Sequence, residues 1–158
     1  DAIHRLETTS PVSQVEADEF DAIFLPGGHG TMFDLPDNQS LAALIKSFAE
    51  SDKVIAAVCH GPAGLVHATL SSGLPFVKGK RLTAFTNEEE RAANLDSLMP
   101  FLLESRLREL GADFVTEPKW SNHIEVDGKL VTGQNPQSSE ATAQKVLELL
   151  QANVTNNR

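Results

Sequence analysis

The fold of this chain is decided by residues 54–62, which read Val54-Ile55-Ala56-Ala57-Val58-Cys59-His60-Gly61-Pro62. An apolar run, β-branched at its start, is followed by a cysteine, a histidine and Gly-Pro. Such a run predicts a buried parallel strand, because a strand covered on both faces needs no polar alternation. Residues 63–70 can then form a helix, so the cysteine stands on a sharp strand-to-helix turn.

The residues around Cys59 have the spacing of a nucleophile elbow. The backbone passes close on both sides of such a turn, so small residues are needed two positions before and after it, here Ala57 and Gly61. A helix N-terminus favours a thiolate, and we therefore expect the turn to lower the pKa of Cys59. The alternative is a buried structural cysteine, because free cysteine is among the most buried residue types. The spacing of the small residues and the adjacent His60 favour a functional cysteine over a structural one.

Length and composition indicate one globular α/β domain spanning residues 1–158, with 41% hydrophobic and 22% charged residues. A net charge of −9 argues against a nucleic-acid partner, which requires a basic surface. No apolar run approaches the roughly 20 residues of a membrane span. The single cysteine cannot form an internal disulfide, so we expect a reducing, cytoplasmic compartment.

A glycine-rich loop follows a second apolar run. Residues 22–25 predict a short strand that ends at Pro26-Gly27-Gly28-His29-Gly30. A loop at the carboxyl end of a parallel strand is where an open α/β sheet builds its site. We interpret it as part of an oxyanion hole, formed by the backbone of Gly28 and of His60. An ordinary tight turn is the alternative.

The remaining pattern alternates strands and helices, which predicts a three-layer α/β/α sandwich with a mainly parallel sheet. We expect edge or central strands at 12–15, 81–85 and 113–116, and a hairpin over 124–132. Helices are expected after a cap at Asp37 or Asn38, with Pro100 in a first turn, and after a cap at Ser138 or Ser139. The last of these is expected to bury Ala143, Val146, Leu147 and Leu150.

Three acidic residues follow the strand expected at 81–85. Glu88, Glu89 and Glu90 are typical of a solvated helix start, where the helix dipole favours negative charge. One of them can reach the elbow and orient His60. A metal is not expected, because the cysteine and the five histidines show no ligand spacing such as Cys-x-x-Cys.

These motifs together resemble the ThiJ/PfpI superfamily, which has the flavodoxin-like fold of class I glutamine amidotransferases. The resemblance rests on the segment from Phe24 to Gly30 with Asp34, on Ala-Val-Cys-His-Gly-Pro, and on the segment from Thr83 to Glu90. Residues 100–104 and 133–139 are similar to the branch of glutathione-independent glyoxalases, also called glyoxalase III. Members of this branch are also described as heat-shock holding chaperones and protein deglycases.

The resemblance implies Cys59 as nucleophile, His60 as proton shuttle and Glu90 as the acid that orients His60, with Gly28, His29 and His60 at the oxyanion and substrate site. It implies a lyase that converts methylglyoxal to D-lactate without a cofactor, and a homodimer. Unfolded protein clients, without catalysis, are one alternative. A cysteine amidase or peptidase is another.

The chain departs from this family pattern at its beginning. Family members start with a strand and a helix that carry a glutamate next to the nucleophilic cysteine. The sequence begins at Asp1 in polar residues without such a strand, so we expect that this segment is absent. Activity of these residues alone is then in doubt.

Overall fold

The structure is a computed structural model that describes residues 2–156. The strands are β1 (Ala22–Leu25), β2 (Val54–Val58), β3 (Arg81–Leu82), β4 (Asp113–Phe114), β5 (Ile124–Asp127) and β6 (Leu130–Gly133). The larger sheet has the strand order β1-β2-β6-β5, and a smaller sheet pairs β3 with β4. Strands β1, β2 and β6 are parallel, and β5 is antiparallel to β6. The prediction of a mainly parallel α/β fold is confirmed.

The helices are α1 (Ala2–Leu6), α2 (Thr31–Asp34), α3 (Gln39–Glu50), α4 (Asn87–Ala92), α5 (Leu103–Glu109) and α6 (Ser139–Asn156), and short 3-10 turns lie between them. Helix α3 packs on one face of the larger sheet and α6 on the other. Among the described residues, no helix has both the length and the apolar character needed to cross a bilayer.

Strand β2 lies at the centre of the core because each of its two faces packs against a different helix. Ile55 and Ala57 pack in a cluster with the apolar stripe of α3, whereas Val54 and Ala56 pack with Val146 of α6. All five residues of β2 are buried, which explains why the strand is continuously apolar. The α3 stripe consists of Leu41, Leu44, Ile45 and Phe48, as the helical spacing predicts.

Several boundaries follow the predictions closely. Helix α3 begins after Asn38, whose side chain accepts a hydrogen bond of 2.9 Å from the Leu41 N–H. The predicted hairpin is present as β5 and β6, with Gly128 at φ +59° in its turn. Helix α5 begins at Leu103, so Pro100 precedes the helix rather than lying in its first turn.

Two predicted strands are shorter than expected. Beyond Leu82, the chain bends because the Thr83 N–H donates to the Thr132 side chain and the Phe85 N–H donates to the Cys59 carbonyl. Strand β4, which pairs with β3, ends at Phe114, the partner of Leu82. These bonds bring residues 83–86 towards the end of β2.

Three further predictions are wrong. Residues Val12–Gln14 form a 3-10 turn where the sequence predicts an edge strand over 12–15, because the Val15 N–H donates back to the Val12 carbonyl instead of to a neighbouring strand. The elbow leads into a 3-10 turn over Gly61–Leu65 and not into a longer helix to residue 70. In α6 the prediction is wrong for two of four residues: Val146 is buried and Leu150 packs beside it, but Leu147 is 59% exposed and Ala143 is also exposed. The buried face of that helix is shifted by one residue and includes Thr142 and Val146, with Leu149 and Leu150 packed beside them.

Candidate active site

Cys59 lies on a strained turn at the carboxyl end of β2. Its φ angle is +60°, a left-handed conformation that is unfavourable for a side chain with a Cβ. The backbone holds this conformation from both sides: the Cys59 N–H donates to the Gly133 carbonyl and the Phe85 N–H donates to the Cys59 carbonyl, each over 2.9 Å. The predicted elbow therefore has the backbone strain of a nucleophile position.

Glycines next to the elbow make room for this turn. A Cβ built on Gly27 would lie 2.6 Å from the Cβ of Cys59 and 2.8 Å from the Val58 carbonyl oxygen. A Cβ built on Gly61 would overlap the carbonyl oxygen of Leu25. The glycine-rich loop after β1 and the elbow after β2 thus approach each other through their backbones.

The sulfur of Cys59 lies 3.3 Å from Nδ1 of His60, and Nε2 of His60 lies 2.7 Å from Oε2 of Glu90. A carboxylate only accepts hydrogen bonds, so Nε2 of His60 carries the proton in this arrangement. Nδ1 is then free to accept a proton from the thiol. Cys59, His60 and Glu90 thus form a continuous thiol–imidazole–carboxylate chain, and all three residues are buried.

The three glutamates have different surroundings. Glu88 is exposed and pairs with Lys119 over 3.3 Å. Glu89 is fully buried and Glu90 is 3% exposed, but only Glu90 contacts His60. The three side chains point in different directions because they are successive residues in the first turn of helix α4.

Glu89 anchors the segments around the site. It occupies the third position of α4 and forms a capping box with Thr86. Its Oε1 accepts hydrogen bonds from the backbone of Trp120 and from the side chains of Gln134 and Asn135, over 2.8–3.2 Å. Sequence reasoning missed this role, although the pattern Thr86-Asn87-Glu88-Glu89 is the signature of a capping box.

His29 lies against Glu90 as a second histidine. Its Nε2 is 2.8 Å from Oε1 of Glu90, and its ring centroid is 4.2 Å from that of His60. The side chain is 35% exposed, whereas those of His60 and Glu90 are buried. We expected His29 at the substrate site, but its contact with Glu90 was missed because nothing in the spacing of the sequence links the two.

The backbone N–H groups of Gly28 and His60 donate hydrogen bonds to the sulfur of Cys59. These bonds lower the pKa of the thiol, but desolvation by burial outweighs them and raises the pKa to about 11. Glu89 and Glu90 raise it further. The expectation of a lowered pKa for Cys59 is therefore wrong, because only 7% of the residue is exposed and desolvation outweighs the backbone hydrogen bonds.

Burial also shifts the pKa of His60. Desolvation lowers it, although the hydrogen bond to Glu90 opposes this shift. A neutral imidazole at physiological pH is the form that can accept a proton. The thiol and the imidazole are thus both uncharged in the resting site.

Aromatic rings form a wall beside His60. The ring of Phe85 lies 4.4 Å from that of His60, and the ring of Trp120 lies 5.6 Å from that of Phe85, measured between centroids. Trp120 is 39% exposed, so this wall reaches the surface. His123 belongs to a different cluster, since its Nε2 lies 3.1 Å from Glu125.

The comparisons with known proteins agree on one family. The sequence model of the DJ-1/PfpI family matches residues 3–149. Glutathione-independent glyoxalase hsp3101 of Schizosaccharomyces pombe is 38% identical over 157 residues, which cover 94% of this chain and 64% of that protein. The glutathione-independent glyoxalase HSP31 of Saccharomyces cerevisiae is 34% identical, covering 87% of this chain and 60% of that protein.

Solved structures give the same result. Glyoxalase III from Candida albicans superposes with a TM-score of 0.82 at 31% identity, covering 87% of this chain and 60% of that chain. The Rapid Encystment Protein of Francisella tularensis superposes with a TM-score of 0.88 at 33% identity, covering 92% and 65%. This chain therefore spans roughly three fifths to two thirds of the length of these relatives. With its fold, its elbow and a family match over nearly its whole length, the chain belongs to the DJ-1/PfpI family.

Proposed function

We propose that the protein is a glutathione-independent glyoxalase, a lyase that converts methylglyoxal to D-lactate at Cys59, His60 and Glu90. The observation that carries this proposal is the continuous contact from Sγ of Cys59 to Nδ1 of His60, 3.3 Å, and from Nε2 of His60 to Glu90, 2.7 Å. The names of the relatives support the same activity. Because this chain spans only part of their length, the proposal concerns the protein that carries these residues.

The first step is addition of the thiol to the aldehyde. Cys59 is protonated at rest, so His60 accepts the proton at Nδ1 while the sulfur attacks the aldehyde carbon. The carbonyl oxygen becomes the oxygen of a hemithioacetal. The backbone N–H groups of Gly28 and His60, which face the sulfur, stabilise the negative charge on that oxygen.

The second step moves a proton between adjacent carbons. His60 first gives the thiol proton to the hemithioacetal oxygen, so its Nδ1 can accept a proton again. It then removes the proton from the former aldehyde carbon, giving an enediolate, and returns that proton to the neighbouring carbon. The hydroxyl proton of the hemithioacetal moves to the oxygen of that neighbouring carbon. The product is a 2-hydroxyacyl thioester on Cys59. Water then hydrolyses the thioester, which releases lactate and restores the thiol. Glu90 holds the His60 ring in place and stabilises its protonated form.

The proposal is tested by a lactate assay without glutathione. Purified protein is given methylglyoxal, and D-lactate is measured with a stereospecific dehydrogenase. Cys59→Ala is expected to abolish D-lactate formation, whereas Glu88→Gln, an exposed change in the same helix as Glu90, is expected to leave it unchanged. Retained turnover in Cys59→Ala contradicts the proposal. Release of amines from peptide or amide substrates, without lactate, indicates an amidase or peptidase instead.

A holding chaperone is the second candidate, favoured by an apolar groove of about 420 Å³ along β1. Phe20 and Phe24 in this groove are 47% and 37% exposed. Apolar surface of this kind binds unfolded clients. A Cys59→Ala protein that still suppresses aggregation of a heated client supports this function beside the enzymatic one. The groove is lined by Val12, Val15, Phe20, Ala22, Ile23, Phe24, Leu25, Pro26, Thr31, Leu35, Asn38, Leu41, Leu44 and Phe48.

We further propose that residues 1–158 form one domain and that the protein is a cytoplasmic homodimer. We also propose that the site of Cys59, His60 and Glu90 acts as a protein deglycase. The free thiol of Cys59 supports a reducing compartment. Light scattering of the purified protein tests the dimer. Release of lactate from a glycated peptide tests the deglycase activity.

A further inference from the structure

Three potential metal ligands meet beside the elbow although they are far apart in sequence. His29 follows β1, His60 follows β2, and Glu90 lies in α4 after β3. One ligand atom from each lies within 4.8 Å of the other two. His60 and Glu90 are buried, and His29 is partly exposed. Two imidazoles and one carboxylate are a ligand set that suits zinc and other first-row divalent ions.

The present contacts show how an ion fits between these groups. Glu90 accepts one hydrogen bond from each histidine, over 2.8 Å from His29 and 2.7 Å from His60. A divalent ion replaces the two protons of these bonds, since both ring nitrogens bind metal when deprotonated. Zinc bonds of about 2.0–2.1 Å in a tetrahedron place neighbouring ligand atoms about 3.3 Å apart. The two contacts use different oxygens of Glu90, and each nitrogen and its oxygen need to separate by about half an ångström. The ligand atoms that lie up to 4.8 Å apart need to approach one another around the ion.

Among the three ligands, the partly exposed side chain of His29 has the most room to move when an ion binds. Its side chain is 35% exposed, against 0% for His60 and 4% for Glu90. An ion can therefore enter from the side of His29 and leave a fourth position for water. Cys59 is outside this set, because its sulfur contacts Nδ1 of His60 and the ion is bound through Nε2.

We propose that His29, His60 and Glu90 form a zinc site that, when occupied, inhibits the enzyme. The ion takes Nε2 of His60 and the carboxylate of Glu90, which breaks the hydrogen bond between them and fixes the imidazole as a ligand. The site itself depends only on the three side chains. The inhibition rests on the proposed function. This proposal revises the expectation from sequence spacing that the chain has no metal site.

The test is a titration of chelator-treated protein with Zn²⁺, followed by calorimetry, and with Co²⁺, followed by absorption. One ion is expected to bind per chain. His29→Ala is expected to weaken binding by at least about tenfold, since a ligand is lost. Cys59→Ser is expected to bind as the unmodified protein does. His67→Ala, a half-exposed histidine that contacts the carbonyl of Pro36, is the matched control.

The Co²⁺ spectrum identifies the ligands independently of affinity. Visible d–d bands without a sulfur-to-cobalt charge-transfer band support nitrogen and oxygen ligands alone. A charge-transfer band that disappears in Cys59→Ser overturns the proposal, because it places the ion on Nδ1 and the sulfur. Absence of binding, or equal binding by His29→Ala with native circular dichroism, also overturns it. Zinc binding by a protein whose metal-free form makes no D-lactate leaves the site standing and refutes the proposed function. D-lactate formation that one equivalent of Zn²⁺ does not reduce overturns the inhibition.

Discussion

The sulfur of Cys59 lies 3.3 Å from Nδ1 of His60, and the thiol is protonated at neutral pH because burial raises its pKa to about 11. The nucleophile is therefore not a preformed thiolate. Its activation requires proton transfer to His60 when substrate arrives. This relationship makes the ionisation of the thiol a direct test of the site.

Alkylation of Cys59 is expected to be slow at pH 7 and to increase with pH until about pH 11. At pH 7 the thiolate fraction is on the order of one in ten thousand, and only the thiolate reacts. The measurement is the rate of iodoacetamide modification between pH 6 and 11, by mass spectrometry in the presence of a chelator. Urea-unfolded protein serves as the control and should titrate near the ordinary cysteine value. A midpoint below pH 8 in the folded protein contradicts the burial argument.

The same shift predicts a loss of stability at alkaline pH. The pKa of Cys59 is raised from 9.0 to about 11, so its contribution to folding is fully present below pH 9 and is lost as pH rises to 11. The difference is at most roughly 3 kcal/mol. The measurement is the free energy of unfolding by urea between pH 8 and 11. Cys59→Ser should lack this part of the pH dependence, and identical slopes for the two proteins would contradict it.

Glu90→Gln is expected to reduce D-lactate formation by about a hundredfold or more, because an amide stabilises the protonated imidazole less well. Both histidine contacts of Glu90 are affected by this change. The measurement is kcat for methylglyoxal, with circular dichroism to verify folding. A kcat within twofold of the unmodified protein excludes Glu90 as the partner of His60.

Glu89→Gln is expected to act on stability, since Glu89 is fully buried and its oxygens accept hydrogen bonds from Thr86, Trp120, Gln134 and Asn135. An amide group turns one of these acceptors into a donor, which costs about 2–3 kcal/mol when the partners are left unpaired. The measurement is the free energy of unfolding in urea. The neighbouring exposed change Glu88→Gln should stay within about 0.5 kcal/mol of the unmodified protein. Equal stability of the two variants would show that the anchor is unimportant.

Gly27→Ala is expected to displace the elbow. The new methyl group would lie 2.6 Å from the Cβ of Cys59, so the backbone of the loop or of the elbow must move. We expect a loss of about 1–3 kcal/mol in stability and a marked fall in D-lactate formation. Gly30→Ala is the matched control, because nothing lies within 4 Å of its Cβ. Thermal unfolding and the lactate assay on both variants check the contrast.

Features encoded by local sequence were predictable, and features decided by distant contacts were not. The apolar run of β2 and the cap and stripe of α3 specify their own structure. Strand β3 ends early because the backbone of Thr83 bonds to the side chain of Thr132, which is distant in sequence. The buried face of α6 is shifted because Thr142, whose hydroxyl bonds to the carbonyl of Ser138, lies inward in place of Ala143.

The same division holds for the candidate site. Cys59, His60 and Glu90 each follow a predicted strand, and parallel strands bring their carboxyl ends to one edge of the sheet. The contact between His29 and Glu90 depends on the path of the glycine-rich loop, with Gly28 at φ +115°, which spacing does not reveal. The raised pKa of Cys59 depends on burial, and burial is a property of the assembled fold.

The elbow is shaped by main-chain hydrogen bonds, from the Cys59 N–H to the Gly133 carbonyl and from the Phe85 N–H to the Cys59 carbonyl, and not by the cysteine side chain. Replacing the sulfur therefore leaves the surrounding cleft in its original form. A Cys59→Ala protein should bind the aldehyde without converting it. Crystals of this variant soaked in substrate should therefore show the bound aldehyde, which turnover removes in the unmodified protein.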